Sequence, residues 1–334
     1  MDYYVTDSCI PLSLKRGTVI EYHHSGGNAR PNVINTLKHT EMKYIRTISM
    51  LLLLVLAAGC INDDMSECER TYLYFSYKGD GVTQILNQKI GKVNLYVFDS
   101  ENHLVQTKIV DQNELITRQS TRLKLEPGDY RIVCVGNPYN DTRVSDLNAG
   151  NMGNILFAHP GYFDNTPINT NDSLYFASKI ITVPDTYWVR DTIPFSSSHI
   201  KVSVEVRGLG SAPNGGPSAT LVVNNLFPYT DFTNSAGGEL CSYHPTMTYN
   251  ESSMNMTARF NIFRIGNENP VTFDLVYPSG EILHSLRLED FLLANPSIDV
   301  TKNEVLIPIL IKFSSIGVTV TVPDWYIEDL NPEF

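Results

Sequence analysis

The chain has 334 residues, enough for two domains of ordinary size, and a formal net charge of -11. Charged residues make up only 18% and aromatics 10%, and Gly and Pro are scattered throughout, a profile that excludes a disordered chain. The acidic balance, without Lys/Arg clusters, excludes nucleic acid as a partner, because phosphate binding needs basic patches.

Taken in chain order, the most specific pattern lies at residues 42–60. A basic segment runs from Met42-Lys43 to Arg46, an apolar run fills Ile48 to Leu56, and Ala57-Ala58-Gly59 leads into Cys60. This is the basic, apolar and small-residue order of a signal peptide. The apolar run is too short to span a bilayer, which needs about 20 residues. Small side chains admit the backbone to a peptidase cleft, and a thiol can take a diacylglycerol. The segment resembles the bacterial lipobox, with cleavage between Gly59 and Cys60 and lipidation of Cys60. Residues 42–59 are then the lipoprotein signal peptide and 60–70 a lipidated tether.

A signal sequence begins a chain, so translation is expected to start at Met42, with residues 1–41 a mis-annotated extension. The other reading is a real extension lost with the signal peptide; both leave 1–41 out of the fold. Behind Cys60, the stretch Asn62-Asp63-Asp64 to Glu67 is acidic. It resembles the acidic export signals that follow the lipidated cysteine in surface lipoproteins of some Gram-negative bacteria. A plain solvated linker fits it equally.

From Tyr72 onward period-2 alternation dominates. Tyr72–Tyr77 is aromatic and strand-like. Val93, Leu95 and Val97 share one strand face, and Leu123 and Leu125 share another. Glu126-Pro127-Gly128-Asp129 reads as a turn. With Tyr130–Val135 behind it, the order predicts a hairpin. Asp141 to Thr170 reads as loop. Leu174–Ala177 and Ile180–Val183 read as strands closing a first unit, 71–195.

A second unit, 196–334, opens at Ser196-Ser197-Ser198. Val202, Val204 and Val206 form one face of its first strand, and Gly208 to Pro217 is a loop. Further strands are expected at Ala219–Val223, Arg259–Phe263, Val271–Tyr277, Ile282–Leu286, Val305–Phe313 and Val318–Val322, with a helix or turn at Glu289–Ala294. Many short strands separated by turn signals predict an all-β chain of two sandwiches.

The five cysteines, Cys9, Cys60, Cys68, Cys134 and Cys241, contain no C-x-x-C pair, and three remain once Cys9 is lost and Cys60 acylated, which argues against a disulfide framework. Cys134, inside Ile132–Val135, reads as a buried small hydrophobe. No nucleophile elbow, P-loop, H-E-x-x-H or dinucleotide fingerprint appears. The chain is read as no enzyme, with no cofactor and no metal site. His103, His159, His199, His244 and His284 read as surface or turn residues. Trp188 and Trp325, with Tyr187 and Tyr326, either pack in sandwich cores or stack on sugars.

The order of these pieces resembles the FimB-type fimbrial anchor lipoproteins, relatives of the fimbrillins that build type V pili. The pieces are the lipobox at Cys60, Cys68, the strand Tyr72–Tyr77, Val93–Asp99 with Leu104-Val105, Leu125–Tyr130 leading to Val135-Gly136-Asn137, Tyr175–Ser178, the Ser-rich entry to Lys201–Val206, and Asp324-Trp325. The resemblance implies two tandem Greek-key, transthyretin-like β-sandwich domains. It also implies a subunit fixed in the outer membrane by its N-terminal lipid, exposed at the surface, at the base of a fimbrium, with fimbrial subunits as strand-mediated partners. An arginine-specific protease matures the family's stalk subunits. Here Arg70, Arg118, Arg122, Arg131 and Arg143 are the candidate cleavage points, and an anchor is expected to keep its first strand uncut. Val318, Val320 and Val322 mark a candidate pairing strand; an ordinary core strand is the alternative. A second functional reading is a surface carbohydrate-binding lipoprotein of a nutrient-uptake system.

Overall fold

The computed structural model describes residues 69–329, except Thr186 and Asn214. Gly59, Cys60, Met42 and Cys68 lie outside the described residues, so the expectations placed on them are not met or refused by the fold.

The first half contains β1 (Thr71–Ser76), α1 (Leu86–Lys89), β2 (Val93–Phe98), β3 (Leu104–Val110), α2 (Gln112–Arg118), β4 (Ser120–Leu123) and β5 (Gly128–Gly136). Then come β6 (Arg143–Val144), β7 (Leu156–Ala158), α3 (Pro160–Asp164), β8 (Tyr175–Val183), β9 (Val189–Pro194) and β10 (Ser196–Ser197). A three-stranded sheet, β4-β1-β9, faces a five-stranded sheet, β10-β8-β5-β2-β3. The alternation in β1 turns Leu73 and Phe75 inward and Tyr72 and Tyr74 outward. Leu73 and Phe75 join Leu95, Val97, Ile132 and Cys134 from the facing sheet in one core. Cys134 is fully buried, as its apolar context indicates, and burial pushes its thiol pKa far up.

The expected hairpin around Glu126–Asp129 is not formed. β4 pairs with β1 in one sheet, and β5 pairs with β2 and β8 in the other. The chain between them crosses from sheet to sheet. Leu123 and Ile132 therefore meet in the core from opposite sides instead of lying side by side.

The second half contains β11 (His199–Arg207), β12 (Thr220–Leu226), β13 (Tyr229–Asp231), β14 (Ala236–Gly237), β15 (Cys241–Tyr243) and β16 (Thr248–Asn250). It continues with β17 (Asn255–Phe263), β18 (Thr272–Val276), β19 (Ile282–Arg287), α4 (Leu288–Ala294), β20 (Leu306–Ser314), β21 (Gly317–Thr321) and α5 (Asp324–Asp329). Its two sheets run β16-β17-β11-β20-β21 and β15-β12-β18-β19. Val202, Val204 and Val206 face Leu221, Val223 and Phe273 in a second core. The molecule is thus all-β, built of two Greek-key sandwiches.

The segment read as loop, 141–170, is an element of the fold. Its β6 and β7 join β13 and β14 of the second half in a four-stranded sheet, with Tyr229, Thr230 and Asp231 opposite Ala158, Phe157 and Leu156. This sheet covers the back of β2 and β5. Tyr96, Phe98, Val133 and Val135 consequently pack with Phe157, Phe232 and Phe263 in a third core. Burial on both faces explains the unbroken apolar runs in β2 and β5, which simple alternation does not.

Polar contacts fasten the same seam. The Glu304 carboxylate accepts from Tyr77 Oη at 2.6 Å and from Lys89 Nζ at 2.7 Å, so a second-half residue is held by the first half. The Asp80 carboxylate accepts from the backbone N–H groups of Asn303 and Glu304, each at 2.8 Å. Burial pushes the Glu304 carboxyl up, but the hydrogen bonds from Lys89 and Tyr77 outweigh it and hold the group below its ordinary range.

His199, read from sequence as a surface or turn residue, is instead buried at this seam. Its Nδ1 lies 2.8 Å from the Leu174 carbonyl oxygen, and its ring meets Tyr175 edge-on. Burial lowers its pKa from 6.5 to about 4. The unfolded chain takes up a proton near pH 6.5 that the native state refuses until about pH 4. Stability is therefore full above pH 6.5, falls as pH drops through that value, and levels off near pH 4. The gap corresponds to about 3 kcal/mol. Urea unfolding from pH 7 to pH 4.5 should show this slope in the native protein and lose most of it in His199→Phe; an unchanged slope would remove His199 as its source.

Candidate assembly surfaces

Assembly between chains takes place on surfaces, and strand edges come first. An edge strand presents unpaired backbone N–H and C=O groups that template pairing. β21 is the terminal strand of its sheet: it pairs with β20 on one side and with no described strand on the other. A two-residue turn joins β20 to β21, with Ser314 opposite Gly317. Such a turn makes its flanking residues the hydrogen-bonded closing pair. Alternation then turns the backbone N–H and C=O of Val318 and Val320 to the open edge.

The three candidate pairing residues divide in their surroundings. Val318 is 36% exposed, whereas Val320 and Val322 are partly buried against the second core. Val322 lies just past the end of β21. Ile316 in the turn is almost wholly exposed. This is an edge strand with one apolar flank in solvent, not a strand in the middle of a sheet.

A second edge has the same character. β3 closes the other five-stranded sheet, and Val105 and Ile109 are exposed along it. Its inner residues run the opposite way from habit: the Lys108 ammonium turns in and donates to the Arg122 carbonyl oxygen at 2.8 Å. The sequence holds the signal, since Val105, Thr107, Ile109 and Val110 are β-branched, with Gln106 and Lys108 between them. Alternation alone does not say that Val105 and Ile109 point to water and Val110 to the core.

The two tryptophans occupy different settings. Trp325, in α5, hydrogen-bonds the Glu205 carboxylate. Glu205 also accepts from Arg207 Nε and Asn255 Nδ2, each at 2.6 Å. Burial raises the Glu205 pKa, but these donors outweigh it and hold the carboxyl below its usual range. Trp325, Lys201, Ser203, Arg259 and Leu306 line a cavity of about 460 Å³ on the outward face of β11 and β17. Trp188 stands on the outward face of the first half, 5.2 Å from the Tyr72 ring. Among the described residues no group of His, Cys, Asp and Glu has a metal-binding arrangement.

These surfaces belong to a known architecture. The family model of the fimbrillin-A associated anchor proteins Mfa1 and Mfa2 matches residues 65–331. The chain belongs to this anchor-protein family. Solved structures share its fold. One set of proteins from Bacteroides thetaiotaomicron, assigned as polysaccharide-binding, aligns with a TM-score of 0.63 at 13% identity, over 75% of this chain and 95% of that chain. A protein of Bacteroides ovatus assigned as an adhesin aligns with a TM-score of 0.62 at 18% identity, over 76% and 93%. The fimbrial anchor protein Mfa2 of Porphyromonas gingivalis aligns with a TM-score of 0.55 at 15% identity, over 75% and 94%. A search of curated proteins finds no match. Membership of the Mfa2 family supports a fimbrial accessory subunit at the cell surface, a structural class and not an enzymatic one.

Proposed function

We propose that this chain is the lipid-anchored base of a type V-like fimbrium, held in the outer membrane through Cys60 and joined to the next fimbrial subunit by strand pairing. One observation carries the reading. The span matched by the anchor-protein family opens at residue 65, so only Ile61 to Asp64 separate it from the lipobox cysteine. The span that matches the anchor family thus begins just behind the proposed lipid site.

The open edge of β21 is the surface offered to the partner, with Val318 and Val320 as its outward backbone positions. Proline at an outward edge position removes a donor that the protein's own ladder does not use. Val318→Pro should therefore leave the fold intact and reduce capture of fimbrial subunits at least tenfold in a pull-down. Undiminished capture by a folded Val318→Pro protein would assign the partner to another edge, with β3 next to be tested.

Carbohydrate binding by a surface lipoprotein is the second reading, favoured by the cavity under Trp325, where Arg259 makes no ion pair among the described residues. Glycan-array binding lost in Trp325→Ala, without capture of fimbrial subunits, would replace the first reading by this one.

A further inference from the structure

The outward face of β4-β1-β9 is open to solvent, and its composition departs from that of the chain. Tyr72 lies in the middle strand, opposite Arg122 on one side and Arg190 on the other. The two guanidinium groups stand 4.8 and 5.8 Å from its ring centroid. Trp188 lies against the same ring, Tyr74 follows along β1 at 41% exposure, and Arg70 precedes it. Three guanidinium groups and three aromatic rings thus share one sheet face in a protein of net charge -11. Arg70 is tied to the Asp185 carbonyl oxygen, and Glu69 and Asp185 bring carboxylates to that end of the strand.

Aromatic rings with a polar edge settle at the level of lipid headgroups, and arginine lays an apolar stem against them while its charge meets phosphate. The face is also placed for this. β1 begins at Thr71, and the ten steps along the chain from Cys60 to Arg70 reach at most about 36 Å when extended. We propose that this face docks on the phosphate-bearing headgroups of an anionic lipid surface, so that the first sandwich lies on the membrane beside its lipid. The proposal rests on the anchor reading for its setting, but not for its chemistry. It adds a second, electrostatic contact to the covalent one and fixes how the subunit stands on the bilayer.

The test uses the signal-free chain from residue 60, made with Cys60→Ala so that it carries no lipid. It is floated with vesicles of phosphatidylcholine, with and without phosphatidylglycerol. Binding is expected only with phosphatidylglycerol and should weaken with salt. At ~1 kcal/mol for each basic side chain near the surface, Arg122→Gln with Arg190→Gln should weaken it about 30-fold. Arg122→Lys with Arg190→Lys should retain most of it, and thermal melting checks that each variant is folded. Equal binding to both vesicles, or undiminished binding by the folded glutamine variant, would overturn the proposal. So would capture of an acidic polysaccharide by the same arginines with no vesicle binding. Because the probe has no acyl chain, failure here leaves acylation of Cys60 untouched, and that is read separately from the mass of the mature N-terminal peptide.

Discussion

Fimbriae should shed into the medium when Cys60 is replaced by alanine. The Cys60 sulfur is the one side-chain atom of the proposed lipobox that could carry a diacylglycerol, and alanine keeps the small size of the site while removing it. Each buried CH2 of an acyl chain contributes about 0.8 kcal/mol of membrane affinity, and stable anchoring takes more than one signal. Among the described residues no helix is long and apolar enough to cross a membrane in its place. Cys60 precedes β1, the first described strand, so the variant should still fold and still join its neighbours. The expected outcome is near-complete transfer of assembled fimbriae from the outer-membrane fraction to the supernatant, scored by immunoblot and electron microscopy. Fimbriae that remain attached in Cys60→Ala cells would defeat the lipid-anchor proposal, whatever becomes of the edge strand.

Phe157→Ala should produce the largest loss of stability among core substitutions at the seam. Phe157 is fully buried in β7 and lies 6.2 Å from the Phe176 ring, 6.2 Å from Phe232 and 6.3 Å from Phe263. Those rings come from β8, from the end of β13 and from β17, so one side chain touches both halves and the sheet they share. Replacing a buried phenylalanine by alanine costs about 3–5 kcal/mol, because the lost transfer energy is joined by a cavity the neighbours cannot fill. Against a total of about 5–15 kcal/mol this is a large fraction. Denaturant unfolding should show the full loss for Phe157→Ala and less than about 1.5 kcal/mol for Phe157→Leu, which keeps most of the volume. A loss below 1 kcal/mol for the alanine variant would mean that the shared sheet is not a packed layer.

The same layer shows where local reading of the residues stops. Val93, Leu95 and Val97 are legible as an inward row because alternation with Asn94 is local. Tyr96 and Phe98, on the other side of β2, are buried only because β7 and β13 close over them, and β13 lies more than a hundred residues downstream. The hairpin expected between Leu125 and Tyr130 fails for a related reason. A Pro-Gly turn between two alternating segments permits both a hairpin and a crossing between facing sheets, and the choice depends on which strand β4 meets. It meets β1.

His199 and β21 repeat the lesson at single residues. A lone histidine carries no local mark of burial; His199 is enclosed because Leu174 and Tyr175 are brought beside it. Val318 to Val322 alternates as a core strand would, and only the sheet order shows that nothing among the described residues pairs beyond it.

By itself, then, the amino-acid sequence determined the β-rich character of the chain, most of its strands, the buried state of Cys134 and the order of pieces that marks the anchor-protein family, because each is carried by residues near one another along the chain. Sheet membership, the layer joining the halves, the open edges at β21 and β3, and the arginine–aromatic face around Tyr72 were decided only by tertiary structure. A strand's partners, and what covers its second face, are chosen by residues far away in sequence.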